Sequence, residues 1–308
     1  MGNGYHHTPV MVREVLEGLL VKPGGRYIDA TVGEGGHAEA ILKACQPGGR
    51  VLGIDADASS IHSGRGRLKS YGDSFLTAVG NYAQIRTICG QADFHPVQGV
   101  LFDLGISSSQ LDDGARGFSF QREGPLDMRF DPSQELTADD IVNTWSEVDL
   151  ARGIWSYGEE PRSRQIARAV VAARPINTTL DLARLITEVA RGARRRIHPA
   201  TKTFQALRIM VNQELENLKA GLGQVTEVLA SGGRLAVITY HSLEAVIVKA
   251  FLRQEFRGCI CPPEALICTC GRSPTMRQVS RKAIAPSQEE ITANPRSRSA
   301  RLRIGERI

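Results

Sequence analysis

Near-continuous apolar runs such as Val51-Leu52-Gly53-Ile54 alternate with amphipathic stretches through the first third of the chain. Runs of that kind mark strands buried on both faces, as in parallel sheets. The pattern predicts strands at 26–31, 50–55, 75–79 and 100–104, with helices at 37–45 and 60–71. Strand–helix alternation implies right-handed crossovers and a doubly wound α/β sheet.

The alternation stops after Leu104 and returns only at 233–238. The sequence between reads as helical. Thr137 and Asp140 have capping-box spacing, and 164–174 reads as a helix ended by Pro175. Phe204, Leu207, Val211, Leu215, Leu218 and Leu222 keep helical spacing along one face, which is the pattern of core packing. These features predict a helical domain over 113–212, inserted into a discontinuous α/β domain of 1–112 and 213–308. Near the end, alternating Arg296, Arg298, Arg301 and Arg303 predict an edge strand packed through Leu302 and Ile304.

The 308 residues are 42% hydrophobic and 23% charged, close to the globular average. No apolar run reaches the ~18 residues of a membrane helix. The first residues show no basic segment followed by an apolar stretch, so a soluble, cytoplasmic protein is expected. The net charge of +5 is uneven: residues 270–308 hold nine Lys/Arg and three Glu, or +6, leaving −1 for residues 1–269. A basic tail on a near-neutral body suits a polyanionic partner, although a solvated tail would look the same. Four of the six cysteines fall between 259 and 270, unlike a secreted disulfide framework.

Asp29-Ala30-Thr31-Val32-Gly33-Glu34-Gly35-Gly36-His37 leaves a predicted strand and enters a predicted helix. Glycines belong where a ligand approaches the backbone too closely for a Cβ. Asp55 ends the next strand, where a carboxylate can accept both ribose hydroxyls of an adenosine cofactor. Ala38 stands where the dinucleotide fingerprint has its third glycine. Asp29 and Glu34 suit a cationic sulfonium and amine better than a pyrophosphate. Both details favour S-adenosylmethionine over NAD, against the plainer alternative of a tight turn and an ordinary strand-end Asp.

Phe102-Asp103-Leu104-Gly105-Ile106-Ser107-Ser108-Ser109-Gln110-Leu111-Asp112 resembles the DLG(V/I)SSxQLD signature of the bacterial rRNA cytosine-N4 methyltransferase family known as RsmH, or MraW. Further matches run along the chain, from His7-Thr8-Pro9-Val10 through Arg116-Gly117-Phe118-Ser119-Phe120 and Tyr240-His241-Ser242-Leu243-Glu244 to Asn294-Pro295-Arg296-Ser297-Arg298-Ser299-Ala300. The resemblance implies a methyltransferase sheet interrupted by a helical substrate-recognition domain. It implies S-adenosylmethionine held by Gly35, Gly36, His37, Asp55, Tyr82, Asp103 and Gln110. The substrate it implies is N4 of a cytidine in the decoding region of 16S rRNA, as RNA or in the assembled small subunit.

The exocyclic amine of cytosine is a poor nucleophile because its lone pair is delocalised into the ring. An acceptor on one N–H restores lone-pair character, and Asp103 is the candidate catalytic acceptor. A purely cofactor-binding Asp103 is the rival role. Arg191, Arg194, Arg195 and Arg196 would grip phosphates or simply face water at a helix end. Cys259, Cys261, Cys268 and Cys270 could form a tetrahedral zinc site, but C-x-C spacing is unusual and the resemblance requires no metal. Reduced loop cysteines are the preferred reading, and no metal ligand is assigned. A different class of function, a non-catalytic ribosome-assembly factor that binds S-adenosylmethionine, leaves the glycine loop, Asp55 and Asp103 without chemistry. A small-molecule methyltransferase or NAD enzyme leaves the helical insert and basic segments without a purpose. Oligomeric state is not legible.

Overall fold

The computed structural model describes residues 9–191, 197–259, 261, 267 and 269–308. The first elements are α1 (Val12–Leu19), β1 (Arg26–Asp29), α2 (Gly36–Cys45), β2 (Arg50–Asp55), α3 (Ala58–Arg67), β3 (Phe75–Val79), α4 (Ile85–Gln91) and β4 (Val97–Asp103). Helices α5 (Ser108–Asp112), α6 (Ala138–Thr144), α7 (Glu147–Gly158), α8 (Ser163–Ala172), α9 (Thr179–Val189) and α10 (Thr201–Asn212) follow. The last elements are α11 (Glu214–Val228), β5 (Leu229–Thr239), α12 (Ser242–Glu255), β6 (Met276–Gln278), α13 (Gln288–Ala293) and β7 (Arg301–Arg307). Two compact units result, one from Met1–Gly105 with Leu215–Ile308 and the other from Ile106–Glu214.

The first unit holds a sheet of order β3-β2-β1-β4-β5-β7-β6. Strands β1 to β5 pair in parallel, with Ile28 facing Leu52 on one side and Val100 on the other. The chain builds outward from β1 to β3, then crosses to β4 on the opposite side of β1. In open α/β sheets, that reversal leaves a ligand crevice at the carboxyl ends of the two strands. Alternate residues supply the two faces. Ile28, Leu52, Val100, Phe102 and Val237 pack with Leu218, Leu222 and Val225 of α11. Tyr27, Val51, Leu101, Ala236 and Ile238 pack with Val15 of α1 and Ile41 of α2.

Two expectations are corrected here. Strand β7 is not the edge: it lies antiparallel between β5 and β6, and β6 forms the edge. Leu302 and Ile304 are buried as expected, but alternation along one strand carries no information about pairing on its far side. The apolar stripe from Phe204 to Leu222 is not one helix face. The backbone turns left-handed at Gln213, with φ 49°. Phe204, Leu207 and Val211 enter the core of the second unit, whereas Leu218 and Leu222 enter that of the first.

The second unit packs α6 to α10 around Ile141, Ile154, Ile166, Leu182 and Leu207. Thr137 and Asp140 form the expected capping box at α6, the Asp140 N–H donating to Thr137 Oγ1 at 3.1 Å. Asn212, at the end of α10, accepts from the Phe130 N–H at 2.7 Å and donates to the Met128 carbonyl at 2.8 Å. Arg194, Arg195 and Arg196 lie outside the described residues; Arg191 is exposed, 3.9 Å from Glu188. No helix among the described residues is long and apolar enough to cross a membrane.

Candidate cofactor and catalytic site

Three carboxylates end neighbouring parallel strands of the first unit: Asp29 on β1, Asp55 on β2 and Asp103 on β4. Between β1 and α2 the loop turns through Gly33, with φ 51°, and Gly35, with φ 82°. Residues with a Cβ adopt this region at a cost. At Gly35 a Cβ would also press to 3.0 Å from Leu68 Cδ1. Gly36 opens α2, and His37 behind it is buried.

Asp55 braces this loop. Its Oδ2 accepts from the Gly33 N–H and its Oδ1 from the Asp57 N–H, each at 2.9 Å. The structure therefore gives Asp55 a bracing role that strand-end placement alone did not suggest.

Asp103 meets partners from three segments. Its backbone N–H donates to Thr31 Oγ1 at 2.7 Å, tying the end of β4 to the glycine loop. Its Oδ1 accepts from the Tyr240 hydroxyl at 2.8 Å. His37 Nε2 lies 3.4 Å from its Oδ2, an ion-pair distance without good hydrogen-bond geometry. Burial and the neighbouring Asp103 push the Tyr240 phenol well above its ordinary value, so the hydroxyl stays a donor.

The interior of the site is rich in negative charge. Burial raises the Asp29 carboxyl to about 7; His37 and the Thr31 N–H oppose the rise, and Asp103 and Asp55 add to it. Burial works against charge on His37, but Asp103, then Asp29 and Glu290, outweigh it and raise its pKa. Asp29 Oδ2 and His37 Nδ1 are buried without a hydrogen-bond partner among the described residues. Buried polar atoms are ordinarily satisfied. Three strand-end carboxylates, one with an unsatisfied buried oxygen, beside a glycine loop fit a ligand that brings positive charge and N–H donors. S-adenosylmethionine, with its sulfonium and ammonium, has that chemistry.

Tyr82 follows β3 in a single 3₁₀ turn capped by Asn81, whose side chain accepts from the Ala83 N–H at 2.8 Å. Its ring meets Phe102 edge-on, centroids 5.4 Å apart. Gln110 belongs to the second unit, where it is buried and closes a capping box with Ser107. On the first unit Gly35, Gly36 and His37 follow β1, Asp55 ends β2 and Asp103 ends β4, whereas Tyr82 follows β3 with its ring packed on Phe102. Sequence reasoning did not assign Tyr240 or Thr31 to the site. Tyr240 carried one usable signal: it opens Tyr240-His241-Ser242-Leu243-Glu244, one of the stretches that match the family.

The family model of the MraW methylase family matches residues 4–308. A protein of Dehalococcoides mccartyi named ribosomal RNA small subunit methyltransferase H is 54% identical over 304 residues, covering 99% of this chain and 87% of its own length. A protein of the same name from Thermomicrobium roseum is 53% identical over 305 residues, covering 98% of this chain and 94% of its own. Among solved structures, an rRNA methylase from Streptococcus thermophilus shares 9% identity at a TM-score of 0.43, covering 98% of this chain and 99% of that one. The chain belongs to the MraW methylase family, and it is a methyltransferase that uses S-adenosylmethionine.

Proposed function

We propose that the chain transfers a methyl group from S-adenosylmethionine to N4 of a cytidine in the decoding region of 16S rRNA. The names of its close relatives support a small-subunit rRNA substrate. The observation that carries the chemistry is Asp103, held at the end of β4 by the Tyr240 hydroxyl and the Thr31 side chain.

When bound, the cofactor supplies a methyl group already activated on a sulfonium. The protein's task is then to present the amine and manage its proton. Asp103 accepts from one N–H of the target amine, which localises the nitrogen lone pair for attack. Tyr240 fixes the carboxylate's orientation, so the acceptor is placed before substrate arrives. As the carbon–nitrogen bond forms and the sulfur–carbon bond breaks, the amine becomes acidic and its proton passes to Asp103 Oδ2. His37 Nε2 stands 3.4 Å from that oxygen and steadies its charge. Gly35 and Gly36 would admit the cofactor to the backbone, Asp55 would accept from its ribose, and Tyr82 would serve its adenine. Residues 113–212 serve substrate recognition, and the target base leaves its stack to reach the site.

The test is incubation with labelled cofactor and small subunits that lack the modification, followed by nucleoside analysis. N4-methylated cytidine is the expected product. A chain that binds cofactor but yields no labelled nucleoside from subunits or free 16S rRNA would replace the enzyme with a cofactor-binding assembly factor.

A further inference from the structure

Between α12 and the edge strand β6 the chain runs through residues 256–275, which carry four of its six cysteines. The base of this segment is tied at Glu255, whose carboxylate takes hydrogen bonds from Arg272 and Thr275 and whose carbonyl accepts from the Thr275 N–H at 3.1 Å. Beyond that base, the Sγ atoms of Cys259, Cys261 and Cys270 all lie within 4.8 Å of one another.

Packing does not account for this convergence. Cysteines placed by packing are typically buried, as Cys45 and Cys89 are here at 0% exposure. Cys259 is exposed, and Cys261 and Cys270 are half-buried. Disulfide chemistry does not account for it either. A disulfide holds its sulfurs about 2.05 Å apart, whereas Cys259 and Cys270 Sγ are 3.8 Å apart and no pair is bonded.

The 3.8 Å separation has a simple geometric reading. Zinc–thiolate bonds are about 2.3 Å, and a tetrahedron with that bond length has edges of about 3.8 Å. The surrounding backbone suits thiolates. The Cys261 N–H donates to Cys259 Sγ at 3.4 Å.

We propose that Cys259, Cys261 and Cys270 ligate a structural zinc ion that pins the segment between α12 and β6. This reverses the reading preferred from spacing alone. The fourth position falls to a donor outside these three; Cys268 has the right spacing in the sequence but lies outside the described residues. The site is distinct from the Asp103 centre and takes no part in methyl transfer. It fixes the connection that delivers the edge strand to β7.

The full chain, purified without chelator and desalted, should carry about one zinc per molecule by mass spectrometry of the metal. An organomercurial that modifies thiols should release that zinc to a chromogenic chelator. Cys259→Ser, Cys261→Ser and Cys270→Ser should each lose it while still binding S-adenosylmethionine by calorimetry, which shows that unit 1 remains folded. As a check that needs no variant, cobalt(II) added to metal-free wild type should give the near-ultraviolet sulfur-to-cobalt charge-transfer band. Wild-type protein that retains no zinc after equimolar addition and shows no cobalt–thiolate band would overturn the site. Full zinc content in all three variants would also overturn it.

Discussion

The Tyr240 hydroxyl donates to Asp103 Oδ1 at 2.8 Å, joining the residue after β5 to the last residue of β4. The two strands are parallel neighbours, with Phe102 opposite Val237 and Asp103 opposite Ile238. The sheet register therefore sets which oxygen of the carboxylate is occupied and which faces His37. Tyr240→Phe removes only the donor, since the Tyr240 N–H still reaches Glu244 Oε2 at 2.7 Å. A hydrogen bond to a charged group is worth about 1.5–3 kcal/mol. The single-turnover rate at saturating cofactor should fall roughly tenfold or more, with cofactor affinity little changed. A wild-type rate would mean the bond does not orient the acceptor.

Asp103→Asn keeps size but removes charge and one acceptor oxygen. If Asp103 acts on the target amine, methyl transfer falls sharply at saturating cofactor while calorimetric affinity is nearly unchanged. If it only holds cofactor, affinity falls and the saturated rate recovers. The first outcome is expected.

Asp55→Ala should weaken S-adenosylmethionine binding by about 1.5–3 kcal/mol, the value of a hydrogen bond to a charged acceptor. Part of that loss would be indirect, because the Gly33 N–H loses its acceptor and the loop its brace. Calorimetry on the folded variant measures the total, and unchanged affinity would remove Asp55 from the cofactor site.

Stability of the cofactor-free chain should decline from mildly acidic to mildly alkaline pH. Asp29 is raised from 3.8 to about 7, so between those values the folded chain holds a proton that the unfolded chain has lost. Stability then decreases as pH rises through that window. His37 is raised above 6.5, so its contribution is full below 6.5 and is lost as pH rises through its folded value. Both trends share one sign. Urea midpoints at pH 6 and pH 8 should show the wild type losing stability and Asp29→Asn losing less. Equal slopes in the two proteins would show that Asp29 is not the group responsible.

Much of this architecture could be read from residue order. Strands β2 and β3 fall where the apolar runs placed them: β2, with Val51, Leu52, Gly53 and Ile54 buried, has the unbroken signature of a strand covered on both faces, whereas β3 is a half-buried edge strand. Asp55 and Asp103 were visible for the same reason: each is the first polar residue after such a run. The long-range features were not visible. Nothing local tells Leu302 that a further strand pairs beyond β7, and nothing in the spacing of Val211 and Leu215 reveals the turn at Gln213. Tyr240 and Asp103 are likewise linked only by strand order. The spacing of Cys259, Cys261 and Cys270 carried no information on how far apart their sulfurs lie.

The clasp on Asp103 also has a history in time. Strand β4 leaves the ribosome long before β5, with all of 106–214 made in between. A nascent chain that has reached Asp103 carries the glycine loop and the carboxylate but neither Tyr240 nor the strand that places it. The second unit is continuous and can condense as soon as it emerges, whereas the first must wait with its central β4 edge unpaired. The acceptor is therefore oriented only after a closure that spans 137 residues, so the site cannot work before Tyr240 has been made and its strand has paired with β4.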